Sequence, residues 1–188
     1  MKKRLFLLFA VLLSGMASAQ RVALKNNFLG DATLSPNLAL EIGTGVHTTI
    51  DLYGSYNPFV LNNGTQFRHW LAQPELRFWF CEHFNGAFLG IHGHVGEYNV
   101  AGIELPFKTF EELRTHRFEG YFYGGGISLG YQWVVGKRWG IEASLGGGYA
   151  RIHYKKYECH GCSPVLEEAD YNHFGLTRAT VSLLFFFR

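Results

Sequence analysis

Six charged residues of this 188-residue chain share a phase rather than a neighbourhood in the sequence. Glu41, Asp51, Glu75, Arg77, Glu142 and Arg178 each fall on the polar side of a segment that alternates with period two. Residues so placed face one another across an interior, where an unpaired charge is costly and the planar fork of Arg can hold two carboxylates at once. The chemistry open to such a set is a paired structural network, a gated ion path or an acid–base pair. His92 and His94 lie two apart on one further segment and also point inward. They read as satisfied interior histidines or as half of a metal site whose third and fourth ligands are not evident.

Cys159-His160-Gly161-Cys162 is the sharpest local motif. In an exported loop the two thiols form a small-ring disulfide, bind metal together with His153, His160 or His173, or stay unpaired, and the disulfide is the expected state. Thioredoxin-type redox work would need a βαβ context, which is missing. Cys81 falls at the opposite end of the fold and is expected as a lone thiol. His69, His116, His153, His160 and His173 gather at one rim without a ligand spacing, so no haem or metal site is defined and no cofactor is expected. The spacing of Phe107, Phe110 and Leu113 behind Pro106 fits either a short amphipathic helix over the mouth or a solvated loop.

The elements that position these residues are strands. Leu38, Leu40 and Ile42 alternate with Ala39, Glu41 and Gly43, and Ile50, Leu52 and Tyr56 alternate with Thr49, Asp51 and Asn57. Pro74, Leu76 and Phe78 alternate with Gln73, Glu75 and Arg77, and Leu89, Ile91 and Val95 with Gly90, His92 and Gly96. The longest pattern runs through Tyr121, Tyr123, Ile127, Leu129, Tyr131 and Trp133. A partner follows from Trp139 to Gly148, and a last strand from Ala179 to Arg188. A first strand near Arg21 to Leu29 completes about eight.

Met1 to Ala19 carries Lys2-Lys3-Arg4, an apolar core from Leu5 to Leu13, and Ala17-Ser18-Ala19, the pattern of a cleavable secretory leader. The apolar run is too short for the ~20 residues of a membrane-spanning helix. Residues 20–188 then form one domain. Removing the three leader charges from the 17 basic residues leaves 14 against 15 acidic ones, so the remaining chain is near neutral and a nucleic-acid partner is disfavoured.

Period two alone does not separate a soluble sandwich from a membrane barrel; the connections do. Thr44 to Val46, Cys81 to Asn85 and Val135 to Arg138 are tight turns. Asn57 to Phe67, Asn99 to His116 and Tyr157 to Asn172 are long, and Gly30 to Pro36 is intermediate. Short turns at one end and long loops at the other describe an antiparallel up-and-down transmembrane β-barrel with both termini in the periplasm. Tyr131, Trp133, Trp139, Phe78, Phe80, Phe185 and Phe187 cluster near the tight turns as an interfacial girdle. An apolar last strand suits the barrel-insertion machinery, although Arg188 stands where a terminal Phe would be expected. An eight-stranded interior is filled by its own side chains, which disfavours an open pore. Gly124, Gly126, Gly130, Gly146 and Gly148 are expected to leave room for Tyr53, Arg77 and Trp79.

The combination of Arg21-Val22-Ala23-Leu24-Lys25-Asn26-Asn27, Gln73-Pro74-Glu75-Leu76-Arg77 with Trp79 and Cys81, His116-Arg117-Phe118-Glu119-Gly120, Gly130-Tyr131-Gln132-Trp133, Gly136-Lys137-Arg138-Trp139 and Tyr157-Glu158-Cys159 with Cys162 resembles a Bacteroidota family of small outer-membrane barrels. That family carries a domain-of-unknown-function label and is often encoded near FimA- or Mfa-type fimbrial subunits. The resemblance implies fold and location and supplies no catalytic residues. The expected function is a non-enzymatic outer-membrane barrel, embedded in outer-membrane lipid, whose extracellular loops bind a fimbrial or other surface protein. An outer-membrane lipid-modifying enzyme is the second reading and a narrow channel the third; no Ser, His and acid set falls on one lipid-facing patch.

Overall fold

The computed structural model describes residues 22–60, 65–102, 116–158 and 164–187. Eight strands follow in order: β1 (Val22–Asn27), β2 (Asn37–Gly43), β3 (Thr48–Asn57), β4 (Gln66–Trp79), β5 (Gly86–Ala101), β6 (His116–Val134), β7 (Trp139–Glu158) and β8 (Glu167–Phe187). Each pairs antiparallel with the next, and β1 pairs with β8 from Val22 opposite Phe187 to Asn27 opposite Ser182, which closes the ring. The up-and-down barrel read from the alternation is the observed fold.

The phases hold on every strand. On β3 the burial alternates residue by residue, with Thr49, Asp51, Ser55 and Asn57 buried and Ile50, Leu52 and Tyr56 exposed. Pro74 faces outward on β4, and because it has no N–H the bridges to β5 skip from Ala72 opposite Val95 to Glu75 opposite His92. The outward positions form an uncharged band around the whole ring. It runs from Val22 to Asn26, Leu38 to Ile42, Thr48 to Tyr56, Trp70 to Phe78, Ala87 to Val95, Tyr121 to Trp133, Trp139 to Tyr149 and Phe174 to Phe187. With strands rising about 3.3 Å per residue and tilted as in small barrels, the ten steps from Trp139 to Tyr149 stand about 25 Å tall. The aromatic pairs near the tight turns are in contact: Tyr131 with Trp133 at 4.8 Å and Trp139 with Phe185 at 5.1 Å between ring centroids.

Three expectations are corrected. The first strand ends at Asn27, and Phe28–Ala32 form a short helix, α1, whose start is capped by the Asn27 side chain accepting from the Leu29 N–H at 3.2 Å. The same Asn27 oxygen accepts the Val181 N–H at 3.1 Å, tying α1 to β8. The segments Asn99–Ala101 and Glu167–Asn172, expected in loops, are strand. In consequence β6, β7 and β8 are 19, 20 and 21 residues long against 6, 7 and 10 for β1, β2 and β3, so the wall is high on one side and low on the other. On β8 a register shift opposite Gly146/Gly147 inserts Thr177, so Arg178 faces inward while Leu176 and Phe174 return to the outside. The third correction concerns the glycines. A Cβ at Gly130 would collide with Phe88, whereas one at Gly124, Gly126 or Gly148 would first meet backbone of the neighbouring strand, so these glycines admit the Phe88 ring and the close approach of β6 and β7 rather than Tyr53 and Trp79.

At the tight-turn end the lumen is closed by Phe84, Phe186, Leu184 and Ala23. Phe84 comes from the turn between β4 and β5, where it adopts a left-handed backbone (φ 63°) that a bulky residue rarely holds. Its ring meets Phe186 edge-on at 5.6 Å, and its carbonyl accepts from Gln132 Nε2 at 2.7 Å.

Candidate functional site

Above the apolar plug the barrel register sets carboxylates side by side. Glu41 is opposite Asp51, and Asp51 is opposite Glu75, on three neighbouring strands. Like charges in that relation repel, so the arrangement requires cations between them. Arg77, one inward position along β4 from Glu75, supplies the first. Its Nε donates to Glu75 at 2.6 Å, Nη1 to Glu142 at 2.8 Å and to Glu41 at 3.1 Å, and Nη2 to Asp51 at 3.1 Å and to Glu142 at 3.0 Å. All five guanidinium contacts end on carboxylates. Its carbon lies 4.2 Å from the Phe88 ring centroid, the ring that Gly130 admits.

Arg178 is the second cation, donating to Asp51 at 2.8 Å and to Gln73 at 3.1 Å, and lying 3.3 Å from Glu75. The third was not singled out in the sequence. Lys25 reaches Glu41 at 2.8 Å, Asp51 at 3.0 Å and Glu142 at 3.2 Å. Its signal was present: Ala23, Lys25 and Asn27 are the buried alternates of Val22, Leu24 and Asn26 on β1. Hydroxyls complete the shell, with Thr49 donating to Glu41 at 2.5 Å and Ser128 to Glu75. The six residues marked by phase thus form one network with Lys25, three cations facing four carboxylates. Glu41, Asp51, Arg77 and Glu142 are each 0% exposed.

Residues 5–187 match the family described as a protein of unknown function, DUF3575. The chain belongs to that family. No curated protein and no solved structure matches it.

The remaining candidates of this DUF3575 chain sit elsewhere. His92 and His94 both point inward, 5.9 Å apart between centroids, and His92 Nε2 lies 3.0 Å from Thr177 Oγ1. Among the described residues, no group of three or more His, Cys, Asp or Glu has the arrangement of a metal site. Ser55 Oγ lies 3.2 Å from His69 Nε2, while His69 Nδ1 faces the Phe67 carbonyl at 3.4 Å. Among the described residues no carboxylate reaches His69, so that pair lacks the acid that would orient a base for a nucleophilic serine. Cys81 is exposed and free at the tight-turn end. Cys159, His160 and Cys162, the leader, and the segment holding Phe107, Phe110 and Leu113 lie outside the described residues.

The long-loop end carries a second charged set, on the outside of the wall. Arg151 donates to Asp170 at 2.6 Å, and His153 lies between Asp170 at 2.8 Å and Glu168 at 3.2 Å. The hydrogen bonds from Arg151 and His153 hold the Asp170 carboxyl below its ordinary value, and Asp170 in turn raises Arg151. The register aligns two rows here: Tyr56, Trp70, Glu97, Tyr121 and His153 on successive strands, and beyond them Arg68, Asn99, Glu119 and Lys155. These rows are where charge first enters the outward face of β4 to β6, and they line a groove of about 650 Å³.

Proposed function

We propose that this chain is a non-enzymatic outer-membrane β-barrel, inserted by the barrel-assembly machinery with both termini in the periplasm, whose long-loop end binds a surface partner in fimbrial anchoring or adhesion. The observation that carries the membrane part is the uncharged outward band on all eight strands of a closed ring. A water-facing barrel has no reason to keep the outward positions of every strand free of charge through a common band that reaches about 25 Å on β7, whereas a hydrocarbon layer demands it together with a ring that leaves few unpaired edges. The sealed charge network argues against conduction and fits an interior that holds the wall in shape. The high wall of β6 to β8 lifts polar side chains clear of the band, where a partner can reach them. The fimbrial context and the Bacteroidota origin rest on the family resemblance alone.

The test is fractionation of cells, with the protein run on gels with and without boiling. Retention with the outer membrane after carbonate washing, and a position that shifts on boiling, are expected. Carbonate-soluble protein would overturn the reading. Purification in mild detergent should bring a surface subunit with it.

A further inference from the structure

We propose that the outward groove across β3 to β7 binds a phosphorylated saccharide, presented by an outer-leaflet glycolipid or by free surface polysaccharide. This rests on the reading above, because the groove begins where the uncharged band ends, at headgroup level. An ordinary interfacial girdle would offer Tyr and Trp rings to any headgroup. Here the row is interrupted by a carboxylate. Trp70 Nε1 donates to Glu97 Oε2 at 3.0 Å, which fixes the indole and leaves the other oxygen of Glu97 to accept a hydroxyl.

A carboxylate at this level repels a bare phosphate headgroup and accepts hydrogen bonds from a hydroxylated one. Tyr56 and Tyr121 flank Trp70 and Glu97 in the same register row, giving flat apolar faces of the kind that pack on sugar C–H groups. The row beyond supplies the cations. Among the described residues Arg68 has no ion-pair partner and Lys155 has Glu168 alone, at 3.4 Å. Three strand spacings separate Arg68 from Lys155, about 14 Å, so a phosphate at either cation leaves sugar rings lying over the aromatic row. The volume of about 650 Å³ is of the size that holds such a headgroup.

The experiment compares full-length protein in micelles of lipopolysaccharide and of phosphatidylglycerol by native mass spectrometry, with glucosamine 1-phosphate as the free sugar phosphate. Lipopolysaccharide should be retained in preference to phosphatidylglycerol. Arg68→Ala with Lys155→Ala should cut that retention at least about tenfold, and Glu97→Gln should erase the preference for the sugar-bearing lipid. Binding of glucosamine 1-phosphate would assign free saccharide as a source; its failure beside retained lipopolysaccharide would assign the lipid. Equal retention of phosphatidylglycerol by the native chain, or unchanged lipopolysaccharide retention in the double variant, overturns the proposal. Boiling-shifted gel mobility of each variant verifies that the barrel has formed. A heat-modifiable but non-selective barrel sinks only this inference, and a carbonate-soluble protein sinks the membrane reading as well.

Discussion

Arg77 and Arg151 both meet carboxylates across neighbouring strands, yet one is sealed inside the barrel and the other stands in solvent on the raised wall. Inside, each charge has lost its water, so each must be answered by a partner, and the partners interlock: Arg77 touches four acids, and Glu142 is shared by Arg77 and Lys25. Outside, water replaces any contact that is lost. The same side chains therefore serve as a scaffold in one place and as an adjustable surface in the other.

Breaking the inner set should have the largest effect. Arg77→Ala leaves four carboxylates facing two cations in a dry interior and should cost about 3 to 5 kcal/mol. It would be seen as a lower temperature for the gel shift of the folded barrel, and an unchanged temperature would refute the interlocking. Lys25→Met removes a cation with fewer contacts and should cost about 3 kcal/mol by the same measure. Gly130→Ala pushes Phe88 toward the Arg77 guanidinium without removing any charge. That overpacking should cost about 1 to 3 kcal/mol.

The smallest effect sharpens the contrast from the other side. Arg151→Ala should leave the gel-shift temperature where it is, because about half of each side chain is already in water. The pH response is where it should show. Asp170 is held below its ordinary value, so its ionised form is favoured in the folded state above the unfolded carboxyl value, and that favour is lost as the pH falls through its own midpoint. Loss of Arg151 should raise the Asp170 midpoint toward the ordinary carboxylate range, as read by NMR of the labelled carboxyl carbon.

Much of this was legible in the sequence, and the gaps have physical causes. The alternation places Glu41, Asp51, Glu75, Arg77 and Glu142 on the inner face because each sits between outward apolar neighbours, and Arg178 because it leads into the alternation that starts at Ala179. The tops of β6, β7 and β8 were invisible to that signal: around Arg151 to Tyr157 and Glu167 to His173, both faces are polar, so nothing marks the period. The bulge at Thr177 hid in the same way, since a phase change inside a strand looks like a loop. Lys25 needed a six-residue strand to be phased, too short to assert itself. The rows through Trp70, Glu97 and Tyr121 depend on register between strands, which no single strand encodes.

β1 is the weakest part of the ring on both of its sides, meeting β8 through six residue pairs and β2 through four, while β7 and β8 are matched along almost their whole length. A circle of unequal links opens at its shortest one. Thermal fraying of this barrel should begin at the seam from Val22 to Asn27, and amide protons there should exchange before those of β6 and β7. The residue that guards the seam is Lys25: its ammonium group reaches inward to Glu41, Asp51 and Glu142, so the first strand is riveted to the interior as well as zipped to the last.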